Sequence, residues 1–424
     1  MAVKKLNSSL KKTIAYKLLS DLGKRIYFPP GIASQAAEAA RRADSYNCSV
    51  GMAYKNGIPL ILPSIQKEVP DIPPGNIVGY APTSGDEKLR YLWQKEMKVK
   101  NRGSYDPDIS LPVVVSGITN GISLVADLFV DKNNPVIIPE PYWDNYNLIF
   151  RSRRQAKIIT PSLFEKNKLN ISGIKKAVKN NKRNNKIVFI LNFPNNPTGY
   201  TPTKTEAEEL QNSIKKLADG GLNILIIIDD AYSGFCYEKD LWIESLFFLF
   251  SNLHENVLAV KVDGATKENY AWGLRIGFVT FGSKNLSNEH YQVLNEKLSA
   301  AIRSSISNSS RIAQTLLASA IESRNYANDK KKYFHILYER YLEVGRVLKQ
   351  MNPESPLTPL PFNSGYFMSF KIREAGKLRK FLLHKKNIGT IAINDSILRL
   401  AYSSIDTDKI EEVLAAIFSG AEEY

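Results

Sequence analysis

Six segments of this chain join an apolar run to a polar residue whose chemistry depends on burial. Val257-Leu-Ala-Val-Lys-Val-Asp-Gly-Ala-Thr-Lys267 ends in one lysine, with Arg275 eight residues later. A lysine at the end of a buried strand loses solvation, which lowers its pKa and lets the free amine form a Schiff base with a carbonyl. Leu225-Ile-Ile-Ile-Asp229-Asp230-Ala231-Tyr232 ends in carboxylates and a phenol, which can pair with a ring nitrogen and donate a hydrogen bond beside it. Asn192-Phe-Pro-Asn-Asn196-Pro-Thr-Gly199 puts an amide in a Pro- and Gly-rich turn. Val113-Val-Val-Ser-Gly-Ile-Thr119-Asn120-Gly121 runs from strand into helix, where free backbone N–H groups suit a phosphate. Pro139-Glu-Pro-Tyr142-Trp143 offers an aromatic face for a flat ring. Leu398-Arg399-Leu-Ala-Tyr402 sets an arginine in an apolar strand, and its planar fork suits a carboxylate. Each has a plainer alternative: a surface lysine, a helix cap, a connector, core packing, or an internal ion pair.

These residues need a scaffold that brings strand ends together. Short runs rich in β-branched residues at 112–115, 135–138, 187–191, 224–228, 257–262 and 276–281 lack period-two alternation, the pattern of strands covered on both faces. Helical periodicity separates most of them, as at 121–129 and 204–218. The alternation predicts an α/β domain with a doubly wound, mostly parallel sheet between helices. A helix is expected at 34–43, a long helical stretch from 309 to about 350, and strands at 365–370 and 397–401. The expected division is an arm and part of a small domain over 1–62, a large domain over 63–320, and the rest of a small α+β domain over 321–424. The basic stretch 175–186 alternates Lys with Asn and reads as a solvated loop. Open α/β sheets bind ligands beyond the carboxyl ends of their strands, where the six segments place their polar residues.

With 424 residues the chain is long enough for two or three domains. Hydrophobic residues at 43% and charged residues at 23% exclude disorder, collagen and coiled coil as descriptions of the whole. The net charge of +15 admits nucleic acid, an acidic membrane or small anions as partners, but the basic residues are scattered like a solvated surface. Two cysteines, Cys48 and Cys236, cannot build a disulfide framework. Lys4, Lys5, Lys11 and Lys12 are followed by no apolar signal region, and no apolar run reaches membrane-spanning length. The expectation is a cytoplasmic protein with neither a membrane nor a nucleic acid as partner.

Asn196-Pro-Thr-Gly, Asp229-x-Ala-Tyr232 and Thr-Lys267 followed by Arg275 together resemble the PLP-dependent aminotransferases of fold type I, class I/II, nearest the aspartate and aromatic aminotransferase group. The resemblance runs from Pro29 to the last helix and includes Val50-Gly51-Met-Ala-Tyr-Lys-Asn-Gly-Ile-Pro. It implies that Lys267 carries pyridoxal 5′-phosphate (PLP) as a Schiff base and later acts as general base and acid. Asp229 would pair with the pyridine nitrogen, Asn196 and Tyr232 with the phenolic oxygen, and Trp143 would stack on the ring. Thr119, Asn120, Gly121, Thr266 and Arg275 would surround the phosphate, joined by Tyr80 of a neighbouring subunit. Arg399 would bind the substrate α-carboxylate beside Gly51, with Trp143 and Asn196 also facing the substrate. Arg303 aligns with the arginine that reads a distal carboxylate in dicarboxylate-specific relatives.

The resemblance implies a ping-pong aminotransferase, acting on an acidic or aromatic L-amino acid and a 2-oxo acid such as 2-oxoglutarate, as a homodimer with shared sites. It departs from the family pattern at Gly264, where relatives often have a phosphate-binding Ser. A PLP-dependent C–S lyase on the same fold is the alternative chemistry. A PLP-sensing regulator is a further one, though only about thirty residues precede the match, too few for a DNA-binding domain.

Overall fold

The computed structural model describes residues 32–49, 51–60, 62–67, 72–101, 108–181 and 185–423. Lys4, Lys5, Lys11 and Lys12 lie outside the described residues. The central sheet is built from β1 (Val113–Val115), β2 (Pro135–Ile137), β3 (Lys157–Ile159), β4 (Lys186–Asn192), β5 (Asn223–Asp229), β6 (Val257–Gly264) and β7 (Gly277–Gly282), in the order β1-β7-β6-β5-β4-β2-β3. Neighbours pair in parallel except β7, which is antiparallel to both β6 and β1. β4 and β5 are buried at six of their seven positions, as expected for β-branched strands covered on both faces.

The helices used below are α1 (Ile32–Arg42), α2 (Glu87–Lys100), α3 (Ile118–Phe129), α4 (Ile171–Asn181), α5 (Lys204–Asp219), α6 (Asn288–Arg303), α7 (Arg311–Glu322), α8 (Tyr326–Leu348), α9 (Ala375–Lys385) and α10 (Ile410–Glu423). A second, antiparallel sheet holds β8 (Thr358–Pro359), β9 (Met368–Lys371), β10 (Ile391–Ile393) and β11 (Ile397–Leu400) in the order β8-β9-β11-β10. Helix α1 meets the C-terminal strands there. Gln35 of α1 donates to Ala392 O (2.9 Å) and accepts from Ala392 N–H (2.7 Å) on the edge strand β10.

Two expectations are corrected. The stretch 175–186 is not a loop throughout, because α4 extends to Asn181. Ile171, Ile174 and Val178, at i, i+3 and i+7, make an apolar seam that fixes the helix, while Lys175, Lys176 and Lys179 face solvent. The helical stretch after 308 is also broken: Ser323 is extended (φ −63°, ψ 134°), separating α7 from α8.

Parallel pairing sets the strand ends side by side. Asp229, the last residue of β5, pairs with Asn192 of β4 and Val262 of β6. The turns carrying Asn196, Tyr232 and Lys267 therefore leave the sheet along one edge.

Candidate active site

Lys267 sits in a one-turn helix (Ala265–Glu268) directly after β6. Its Nζ lies 4.9 Å from the centre of the Tyr232 ring. Burial pushes its pKa down to about 8, with Arg275 lowering it and Asp229 opposing. At pH 7.4 about a fifth of such a lysine is the free amine, against about one in a thousand at its ordinary value.

Asp229 is 3% exposed, and burial raises its carboxyl above the ordinary value. Tyr146 donates to Oδ2 at 2.6 Å, Ala231 N–H donates to Oδ1 at 3.1 Å, and the Lys267 charge also favours the carboxylate. Sequence reasoning missed Tyr146. It lies three residues past Trp143, the spacing of one helical face, and the two rings meet edge to face at 5.5 Å. Trp143 is half-buried beside this pair.

A cradle forms where α3 begins. Gly117 precedes it with φ 87°, and the N–H groups of the first turn, including Thr119 and Asn120, have no partner inside the helix. The Asn120 side chain turns back to accept from Ser116 N–H at 3.1 Å. A Cβ at Gly117 would stand 2.4 Å from Arg275 Nη2, so the guanidinium lies against this helix start. Gly121 lets α3 close onto the sheet, since a Cβ there would be 2.7 Å from Val262. Thr266 Oγ1 is buried without a hydrogen-bond partner. Gly264 has a structural reason: a Cβ would meet Ile276 O at 2.5 Å and Gly277 Cα at 2.8 Å, so no larger residue fits between β6 and β7.

Arg399 on β11 is 2% exposed and stacks on Phe367, 4.3 Å from its centre. It donates from Nη1 to Asn196 Oδ1 (2.9 Å) and from Nη2 to Ser49 O (3.0 Å), while Nε is buried without a partner. Burial lowers its pKa to about 10, opposed by the Tyr232 phenol and Asp144. An internal ion pair, the alternative for this arginine, does not account for it: both of its hydrogen bonds go to neutral oxygens. Because Asn196 Oδ1 accepts from Arg399, its amide N–H₂ is left to donate. Gly51 completes the group, as a Cβ there would lie 3.1 Å from Phe367 and 3.4 Å from the Tyr232 hydroxyl. Sequence reasoning also missed Phe367 and Ser49. Phe367 was legible only as part of the aromatic pair Tyr366-Phe367, and Ser49 acts through its backbone, which no side chain announces.

Two expected site residues stand apart within one chain. Tyr80 is 91% exposed, in a segment with exposed Val78 and part-exposed Ile77. Arg303 ends α6, is exposed, and donates to Ser307 Oγ at 2.6 Å. The stretch after Arg303 reaches the helix start, where Ser116 Oγ bonds Ser309 Oγ (3.3 Å), and Arg311 binds Asp86 (2.6 Å) and Asn76 (2.9 Å), on either side of Tyr80.

A lysine just past a strand end, a helix-start cradle and a buried arginine thus stand together at one edge of the sheet of an α/β fold. The family model "Aminotransferase class I and II" matches residues 52–417, and the chain belongs to that family. It is therefore an enzyme, a transferase of fold type I. A "Probable aspartate/prephenate aminotransferase" of Aquifex aeolicus is 26% identical over 356 residues, covering 81% of this chain and 84% of the relative. An aspartate aminotransferase of a Bacillus species is 24% identical over 352 residues, 80% and 82% of the two chains. The crystal structure of an aminotransferase from Anaerococcus prevotii shares the fold with TM-score 0.83 and 24% identity, covering 95% and 98% of the two chains. Among the described residues no helix is long and apolar enough to cross a membrane.

Proposed function

We propose that this chain is a PLP-dependent aminotransferase that moves an amino group between an acidic or aromatic L-amino acid and a 2-oxo acid such as 2-oxoglutarate. The observation that carries the reading is the convergence of part-buried Lys267 with buried Asp229 and Arg399 on one aromatic group, Lys267 over the Tyr232 ring, Tyr232 against Phe367 at 5.3 Å, and Arg399 stacked on Phe367. The residues fit PLP. Asp229 is a desolvated carboxylate suited to a ring N–H, Asn196 has a free amide to donate, and Thr266 Oγ1 and the α3 start are unfilled donors for a phosphate. Lys267, Asp229, Tyr232, Asn196 and Trp143 would hold the ring, and Thr119, Asn120, Gly121, Thr266 and Arg275 the phosphate.

When bound, PLP supplies an electron sink for the charge left at the substrate Cα. The protein supplies the rest. Arg399 fixes the substrate α-carboxylate with its fork, and Phe367 and Gly51 shape the wall behind it. Lys267, with its lowered pKa, holds a free amine that removes the Cα proton and later returns one, as base and then acid. Asp229, whose carboxylate form accepts from Tyr146 and Ala231 N–H against the upward pull of burial, would hold the ring nitrogen charged. Tyr232 lies under the Lys267 amine and limits where it swings.

Exposed Tyr80, Val78 and Arg303 favour a homodimer in which Tyr80 reaches the partner's phosphate cradle and Arg303 reads a distal carboxylate. The names of the aspartate-active relatives agree with an acidic donor. The test is product analysis with Asp, Glu, Tyr, Phe and Ala in turn, each with 2-oxoglutarate (oxaloacetate for Glu). Transfer predicts one oxo acid per amino acid formed, without ammonia; release of a thiol, ammonia and pyruvate from a thioether amino acid such as cystathionine in a parallel assay, by breaking its Cβ–S bond, would establish elimination instead. Arg303→Ala should lower kcat/KM for Asp and Glu by about tenfold or more, the scale of one charged hydrogen bond, and spare Tyr and Phe. An equal fall for all donors would remove Arg303 from substrate reading.

A further inference from the structure

The residue after the reactive lysine is a carboxylate in an expensive place. The Glu268 side chain is 13% exposed, yet it meets Lys100 Nζ at 2.5 Å and Lys330 Nζ at 2.6 Å through the same oxygen, Oε1. The two ammonium groups outweigh desolvation and hold the carboxyl down at about 2. The cations come from different elements: Lys100 closes α2, and Lys330 stands in the second turn of α8. The next residue repeats the grip, as Asn269 Nδ2 donates to the Tyr326 hydroxyl at the start of α8 (2.6 Å).

The lysine turn has little structure of its own. It is a single helical turn, followed by Tyr270 at φ 54°. Beyond its join to β6 and the backbone bonds from Asn269, Tyr270 and Ala271, it is held from outside by the Glu268 clamp, the Asn269 side-chain bond and a bond from the Tyr366 hydroxyl to Lys267 O (3.2 Å). The far side of the clamp borders a cavity of about 460 Å³, lined by Lys100, Lys261, Asp263, Glu268 and Lys330 but not by Lys267, Asp229 or Arg399. The clamp is therefore outside the reaction cleft, and its charges are not among those that set the Lys267 pKa, which are Asp229 and Arg275.

Helix α8 carries this grip toward the substrate side. Fourteen residues beyond Tyr326, about 21 Å along a helix, Arg340 is 1% exposed and donates to the backbone oxygens of Tyr54 and Ser403 and to Asp406 (3.0 Å). Tyr54 follows Gly51, and Ser403 follows the strand that carries Arg399. One rod thus touches the lysine turn at one end and the two substrate-carboxylate segments at the other.

We propose that Glu268 is a positioning residue for amino-group transfer, clamping the Lys267 turn to α8 so that the seat of the lysine and the carboxylate-binding segments are held in one register. The proposal rests on Lys267 being the cofactor-bearing residue. A structural ion pair alone is exchangeable for apolar groups at little cost; a positioning role is not, because Lys267 must detach and re-form its bond each turnover from an unmoved Cα.

The test compares wild type, Glu268→Gln, Lys330→Met and the triple variant E268Q/K100M/K330M, all full-length. Without added PLP, the pH dependence of Lys267 labelling by trinitrobenzenesulfonate is read by peptide mass spectrometry. With PLP, the amino-transfer rate is measured. The groups facing the Lys267 amine are Asp229, Arg275 and the Tyr232 ring, so a displaced turn moves its midpoint, whereas the lost charges alone would move it down in Glu268→Gln and up in Lys330→Met. Glu268→Gln should raise the labelling midpoint by one unit or more from about 8 and lower kcat about tenfold, with KM changed less than threefold. Lys330→Met, which cuts only the α8 link and keeps the carboxylate, should shift both in the same direction. The triple variant removes the repulsion between two unmatched ammonium groups, and should regain melting temperature without regaining midpoint or kcat. An unchanged midpoint and kcat in folded Glu268→Gln and Lys330→Met, or recovery of both in the triple variant, would overturn the proposal. A wild-type visible PLP band that persists in Lys267→Ala would instead overturn the cofactor reading beneath it.

Discussion

Tyr146→Phe removes one oxygen and leaves the ring. In the native protein that oxygen donates to Asp229 Oδ2 at 2.6 Å, and it is the largest influence holding the buried carboxyl down. A hydrogen bond to a charged group contributes about 1.5–3 kcal/mol, which corresponds to about 1–2 pKa units. The Asp229 carboxyl is already raised by burial, so the variant raises it further by that amount. The sign for stability follows: a carboxyl whose folded pKa exceeds its unfolded value costs nothing at pH below the unfolded value, and the cost grows as pH rises through the folded value. Tyr146→Phe without PLP should thus be less stable than wild type at neutral pH, with the deficit shrinking toward pH 4. For PLP binding the effect is more direct, because only the ionised carboxylate holds a ring N–H. The acid limb of PLP affinity, read from the visible band between pH 5 and 8, should move to higher pH by about 1–2 units. A folded variant whose acid limb coincides with wild type would refute the role given to Tyr146.

Arg399→Lys should keep the visible PLP band but lose the planar fork held by Asn196 and Ser49. Truncating a buried, hydrogen-bonded charge costs about 2–5 kcal/mol, so kcat/KM should fall about 30-fold to several thousand-fold in steady-state assays. Gly264→Ser, which restores the residue common in relatives, should not tighten PLP binding. Its Cβ would overlap Ile276 O and Gly277 Cα, so calorimetry should show a loss of about 1–3 kcal/mol. Mixing inactive Lys267→Ala and Tyr80→Ala dimers should restore about a quarter of wild-type activity, since each mixed dimer keeps one intact site; no recovery after proven subunit exchange would place Tyr80 outside the partner's site.

What the sequence made legible was local. The strand ending at Asp229 is one apolar run and the one ending at Gly264 is apolar but for the ion-paired Lys261 and Asp263, and Asn196, Tyr232 and Lys267 follow strand ends within a few residues, so motif and topology agree. Arg399 was recognisable as a buried cation seeking an anion, but its neutral partners Asn196 and Ser49 lie 203 and 350 residues away. Tyr146 reaches Asp229 across 83 residues, and the irregular helix at Asn147–Arg153 that follows it gives no clean period. The stretch 175–181 misled because its lysines and asparagines conceal an apolar seam of only three residues. Gly264 looked like a lost phosphate contact, whereas only the paired strands show that a Cβ has no room. Glu268 resembles a surface charge in sequence, since Lys100 and Lys330 come from distant helices.

The most direct measurement is the visible absorbance of the PLP-loaded protein before and after single amino acids are added without an oxo acid. The account predicts a band in wild type that is absent in Lys267→Ala, and that aspartate, glutamate, tyrosine or phenylalanine abolishes while releasing one equivalent of the matching oxo acid. A band that survives Lys267→Ala, or one that all of these amino acids leave unchanged, would contradict it.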